Sequence, residues 1–127
     1  MKVVSAVKVA VVGSRKLSAT CYEIVERYVP VGCSEVISGG AVGVDMLAER
    51  FARENNLKLT VVRPDYKTFD RTAPLVRNGQ IVRMADYVLI LWDGASRGTL
   101  NVIMTCLKSN KPHKLLLVKD NQESVEC

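Results

Sequence analysis

The sequence predicts an α/β fold: a single domain with a parallel sheet flanked by helices on both faces. Three observations predict it. Short apolar, β-branched runs alternate with stretches patterned at helical spacing, the signature of βαβ units with right-handed crossovers. Runs such as Val7 to Val12 and Tyr87 to Trp92 are almost continuously apolar, as strands covered on both faces must be. The segments richest in glycine, hydroxyls and arginine each follow one of these runs directly.

Taken in order, Val7 to Val12 is the first strand, with Lys8 inside it, and it ends at Gly13-Ser14-Arg15. Tyr22, Val25, Tyr28 and Val29 fall on one helical face, and Pro30 with Gly32 stops that helix. A short second strand, Val36-Ile37 with or without Glu35, delivers the glycine stretch Ser38 to Asp45. Val44, Leu47, Ala48, Phe51 and Ala52 then form the clearest amphipathic helix, which Asn55-Asn56 closes. Leu57 to Val62 is the third strand, closing at Arg63-Pro64. Asp65 to Pro74 is polar and reads as a mobile loop beside a site, holding Tyr66, Phe69, Asp70 and Arg71. A helix is predicted over Pro74 to Met84, with the proline suited to its first turn. Tyr87 to Trp92 is the most apolar strand. Leu100, Ile103, Met104 and Leu107 mark a further helix, and Lys114 to Val118 the last strand.

The 127 residues suit one core of ordinary size. They divide into a domain over 1–119 and a polar C-terminal tail over 120–127, expected to fray. A formal charge of +5 favours an anionic partner. The cations are scattered with few aromatics beside them, so a nucleic acid is not the expected partner. Cys21, Cys33, Cys106 and Cys127 include no CxxC pair, and with one histidine zinc-ligand spacing is absent; no metal is expected. Cys21 and Cys106 read as core fillers, and His113 as a surface residue. No apolar stretch approaches bilayer length, and Lys8 interrupts any leader early. A cytoplasmic protein without a membrane partner is expected.

Chemistry collects where the strands end. In an open parallel sheet, ligands bind in the crevice outside the carboxyl ends, where the strand order reverses. Gly13-Ser14-Arg15, Ser38 to Asp45, Arg63-Pro64 and Asp93 to Thr99 share that address. Gly39, Gly40 and Gly43 make a GGxxG turn that either lets backbone amides hold a phosphate at a helix N-terminus or simply turns the chain and packs helix on strand. Ser14 and Arg15 can touch the same phosphate or a ribose. Asp45, in the first turn of its helix, offsets the helix dipole or binds a ribose hydroxyl. Arg77 and Asn78 either reach the site or decorate an exposed face. In the second anion-binding turn, Ser96 and Thr99 offer hydroxyls, Arg97 a forked cation, and Gly94 and Gly98 close backbone approach. Asp93 can accept from a sugar hydroxyl or an exocyclic amine, and Trp92 either stacks on a base or joins the core.

Gly13-Ser14-Arg15, Ser38 to Ala48, Arg77-Asn78 and Ala85-Asp86 leading to Trp92 through Thr99 together resemble the SLOG superfamily, specifically its small YspA-like branch. The resemblance implies a Rossmann-like fold that senses or handles a nucleotide or nucleotide derivative, AMP-like or ADP-ribose-like, with no further cofactor, and a homodimer by analogy with related folds. The superfamily also holds the LOG-type phosphoribohydrolases and the DNA-processing protein A family. The first imply an alternative activity, nucleotide N-glycosidase chemistry; the second imply single-stranded DNA binding. The LOG-type catalytic glutamate falls at Val102 here, which leaves Asp93 and Asp45 as the candidate catalytic carboxylates.

Overall fold

The computed structural model describes residues 6–17 and 19–119; the expectations for the 120–127 tail and Cys127 lie outside them. Five strands form one parallel sheet in the order β3-β2-β1-β4-β5. They are β1 (Val7–Gly13), β2 (Cys33–Ser38), β3 (Lys58–Val61), β4 (Tyr87–Trp92) and β5 (His113–Leu117). The helices are α1 (Tyr22–Tyr28), α2 (Val44–Glu54), the single turn α3 (Tyr66–Phe69), α4 (Ala73–Met84) and α5 (Arg97–Ser109). This is the predicted α/β architecture in its Rossmann-like form.

Pleating divides the core in two. Val9 and Val11 of β1 point to the side of α1 and α2, where they join Val36, Leu89 and Leu91 under Val25, Val44, Leu47 and Ala48. Ala10 and Val12 point to the other side and join Ile37, Val88 and Ile90 under Ile81, Val82, Val102, Ile103 and Cys106 of α4 and α5. Both layers are dry: Val9, Ala10, Val11, Leu89 and Ile90 have no exposed surface. Each such Val, Leu or Ile side chain contributes about 1.5–3 kcal/mol on burial. Cys21 and Cys106 are buried fillers, as expected.

The chain runs outward from β1 to β2 and β3, then crosses back to β4 on the other side of β1. The strand order therefore reverses between β1 and β4, and a crevice opens outside their carboxyl ends.

Three local expectations change, and α5 buries a face that the sequence does not single out. β2 is six residues long because its first half, Cys33 to Glu35, is partly exposed at the sheet's amino edge and carries no apolar signature. Residues 65–74 are ordered: Asp65 caps α3 by accepting from the Thr68 N–H (3.1 Å), a 3-10 turn covers Asp70–Thr72, and α4 starts at Ala73 with Pro74 second. β5 begins at His113, which pairs with Val88; its ring is half-buried, with Nδ1 2.8 Å from the Lys111 carbonyl, so it is not a simple surface residue. Helix α5 buries Thr99, Val102, Ile103 and Cys106. Of the four residues that mark this helix in the sequence, only Ile103 is buried, while Leu100, Met104 and Leu107 stand 42%, 44% and 56% exposed.

Candidate functional site

The crevice at the switch point has a volume of about 490 Å³. Every loop that follows β1, β2 and β3 reaches it, with α3 and α4 forming one wall and the N-terminus of α5 the other. Of the predicted site residues, Gly13, Arg15, Gly39, Gly40 and Asp45 line it from the β1 and β2 side. Arg77 and Asn78 line it from α4, and Ser96, Gly98 and Thr99 from α5. Ser14, Ser38, Gly43, Asp93, Gly94 and Arg97 are not among the lining residues. Arg63, Pro64 and Tyr66 are, in line with the sequence, which places Arg63-Pro64 at this edge and Tyr66 in a segment beside the site without giving any of them a specific contact.

The glycine turn works differently from an open phosphate cradle. Three N–H groups here are engaged from within: Gly40 donates to Ser38 Oγ (3.1 Å), Ala41 to Asp45 Oδ2 (3.0 Å), and Val44, the first residue of α2, to the Ser14 carbonyl (3.3 Å). The carboxylate of Asp45 thus occupies an anion seat of the kind a phosphate would take. The turn's carbonyls face two guanidinium groups instead. Arg77 Nη1 donates to Gly39 O at 2.8 Å, and Arg63 Nη1 to Gly40 O at 3.3 Å. A Cβ at Gly39 would lie 2.8 Å from Arg77 Nη1 and 2.9 Å from Asp45 Oδ2. One at Gly40, where φ is +77°, would lie 2.7 Å from Arg63 Nη1. The glycine pair therefore makes room for arginines.

Arg77 is the most constrained of these. Besides Gly39 O, it donates through Nη1 to Val62 O (3.4 Å) and through Nε to Asn78 Oδ1 (3.0 Å). Asn78 is itself held, its Nδ2 donating to Asn101 Oδ1 (3.0 Å) and more weakly to Gly98 O (3.4 Å). Arg77 Nη2 has no hydrogen-bond partner among the described residues. Burial holds the guanidinium below its ordinary pKa, with Asp45 working against that. Asp45 is only 6% exposed, and burial pushes its carboxyl up to about 6 despite the Ala41 N–H and the nearby charges of Arg77 and Arg15.

The Asp93 segment is a self-contained turn. Burial raises the Asp93 carboxyl, but the Ala95 and Ser96 N–H groups (2.9 and 2.8 Å to Oδ1) and Ser14 outweigh it, and the pKa ends below the ordinary value. The buried Ser14 Oγ accepts from the Asp93 N–H at 3.0 Å and so ties the β1 loop to the β4 loop. Ser96 caps α5 by accepting from the Thr99 N–H (3.3 Å). Trp92 is half-buried against the α4–α5 core, and its Nε1 donates to the Ser96 carbonyl (3.0 Å). Of the two readings of Trp92, this is the core one. Val102 is 3% exposed on the crevice's apolar wall. Among the described residues there is no group of three or more His, Cys, Asp or Glu that could hold a metal, and no helix long and apolar enough to cross a membrane.

The fold is similar to that of DNA processing protein A from Helicobacter pylori, with a TM-score of 0.67 and 22% identity over 93% of this chain and 68% of that one. It is also similar to DNA processing protein A from Streptococcus pneumoniae, with a TM-score of 0.71 and 20% identity over 87% of this chain and 50% of that one. The chain thus spans about two thirds of the first protein and half of the second. No curated protein matches the sequence. The Helicobacter pylori structure was described for its single-stranded DNA binding mode, and this corrects the expectation that a nucleic acid is an improbable partner: scattered cations and few aromatics in sequence are no guide, because the fold gathers Arg15, Arg63, Arg77 and Tyr66 around one crevice. Residues 1–65, just over half of the chain, match the sequence family of DNA recombination-mediator protein A, and the chain belongs to that family.

Proposed function

We propose that this chain binds single-stranded DNA, seating backbone phosphates on Arg15, Arg63 and Arg77 at the mouth of the crevice. The observation that carries the reading is Arg77, a crevice-lining guanidinium fixed by its carbonyl and amide acceptors, with no hydrogen-bond partner for Nη2 among the described residues. A clamped guanidinium loses little entropy when it takes a phosphate, and its fork is matched to phosphate oxygens. Tyr66, 59% exposed on α3 at the same wall, supplies a face on which a base can stack. The kinship with proteins that handle DNA supports the same reading.

A second reading is favoured by the crevice volume. At about 490 Å³ it falls within the range of small-ligand sites, roughly 300–1,000 Å³, so a free nucleotide of the AMP or ADP-ribose kind fits in place of a strand. Our assignment to the YspA-like branch rests on the series of short motifs and goes with this second reading. Fluorescence anisotropy with a labelled oligothymidylate, titrated with salt and then with free nucleotides, separates the two. Three phosphate contacts predict a slope of about −2 in log K against log salt. Tight nucleotide binding without strand binding would replace the first reading by the second.

A further inference from the structure

Asp45 has no part in seating phosphates on the arginines, yet it lies where the ligand must go. Among the described residues that line the crevice it is the single acidic one, set against Arg15, Arg63 and Arg77. Its Oδ2 takes the Ala41 N–H, and its Oδ1 has no hydrogen-bond partner among the described residues. A Cβ on Gly39 would stand 2.9 Å from that Oδ2 and 2.8 Å from Arg77 Nη1, so carboxylate and guanidinium flank one glycine. They do not close into an ion pair: among the described residues the salt bridges are Arg50–Glu54 and Lys58–Glu35. The charge of the crevice arginines is offset from a short distance without being consumed.

Resting on the phosphate reading of the crevice, we propose that Asp45 is a built-in competitor for the bound anion, its ionised carboxylate weakening the ligand and its protonated form admitting it. An anion drawn onto Arg77 comes close to this carboxylate in a buried setting, where like charges repel strongly. Burial pushes the Asp45 carboxyl up to about 6; the Ala41 N–H and Arg77 work against that, Glu49 of α2 adds to it, and Arg15 after β1 opposes it. From the end of β3, Arg63 reaches the adjacent Gly40 carbonyl. From β2, Ser38 Oγ donates to the Asp45 carbonyl. Helix α1 meets α2 through apolar contacts such as Val25, and its Tyr22 hydroxyl goes to Glu54 at the far end of α2. The chain's one histidine, His113, starts β5 and so lies at the opposite edge of the sheet from the crevice. A bound anion favours the protonated carboxyl and raises its titration range further. Affinity therefore strengthens as the pH falls from above that raised range to below about 6.

The test uses two probes whose own charge is constant between pH 5 and 8: sulfate, and an oligothymidylate without a terminal phosphate. At fixed ionic strength, affinity for each is expected to rise about tenfold from pH 8 to pH 5. By reciprocity, bound sulfate should raise the titration midpoint of Asp45 by about one pH unit, read from the Ala41 amide resonance of the ¹⁵N-labelled chain. Asp45→Asn should bind both probes at pH 8 as the unaltered chain does at pH 5, with a flat profile between. A flat profile in the unaltered chain, a midpoint that sulfate leaves in place, or an Asp45→Asn chain that keeps the pH dependence overturns the proposal; strand binding stands wherever the oligothymidylate still binds. Sulfate binding that tracks Asp45 without oligothymidylate binding upholds the competition and overturns the strand reading. Binding of neither probe overturns both.

Discussion

Replacing Asp45 with Asn should make the protein more stable at neutral pH, and the gain should vanish in acid. The carboxyl is buried, and its value of about 6 in the folded chain stands above the ordinary 3.8. Below about pH 3.8 the group is protonated whether the chain is folded or not, and it costs nothing. As the pH rises from there, the unfolded chain gives up the proton while the folded chain keeps it, so stability falls until the folded group titrates near pH 6. At 1.36 kcal/mol per pH unit, the full cost above that point is roughly 3 kcal/mol. An asparagine oxygen can still accept from the Ala41 N–H, so most of this should be recovered, about 2 kcal/mol, or roughly 8 °C in Tm for a domain of this size. Thermal unfolding of both proteins, followed by circular dichroism between pH 3 and 8, reads the difference directly. An Asp45→Asn protein that is less stable at neutral pH, or a gap that does not change with pH, would refute the reasoning. The first result would mean that the charged pair with Arg77 outweighs burial.

The arginine and glycine positions give further expectations. Arg77→Lys keeps the charge but cannot reproduce the forked contacts to Gly39 O and Asn78 Oδ1; oligothymidylate affinity by anisotropy should fall about tenfold to a hundredfold. At Gly43 an added Cβ would lie 2.5 Å from the Ser14 and Arg15 carbonyl oxygens, with φ at +79°. Gly43→Ala should therefore lose about 3 kcal/mol or more in denaturant unfolding. Gly98, where nothing lies within 4 Å of an added Cβ, should accept alanine with no loss or a gain of about 0.5 kcal/mol. Ser96→Ala removes the α5 cap (Thr99 N–H to Ser96 Oγ, 3.3 Å) and should cost about 1 kcal/mol in the same measurement.

The strands and helices were legible where a single face decides the pattern. β1 and β4 read cleanly because both their faces are buried, and α2 because one stripe of it is. α5 was legible as a helix, but it carries two apolar stripes, and sequence does not say which one the core takes. The crevice was legible as an address, since strand ends collect at one edge in any such sheet. Its internal wiring was not. Gly-Gly followed by a helix suggests amides free for a phosphate, yet Asp45 and Ser38 take those of Ala41 and Gly40 from within. The part played by Arg63 was invisible because it reaches Gly40 across 23 residues. Asp93 attracted a ligand role by composition, and the structure adds that two amides of its own turn bind its Oδ1.

The contact at Gly39 also joins parts of the molecule that otherwise scarcely meet. Helix α2 packs against one side of the sheet and α4 against the other, with the strands as a wall between them. At the carboxyl edge that wall stops, and Asp45 from the first layer and Arg77 from the second close on the same glycine. A ligand drawn onto Arg77 therefore acts as a cross-brace between the two halves of the sandwich. Its footprint in hydrogen exchange should reach the start of α2 as well as α4, so that occupancy of a cleft at one edge is felt on both broad surfaces of the protein.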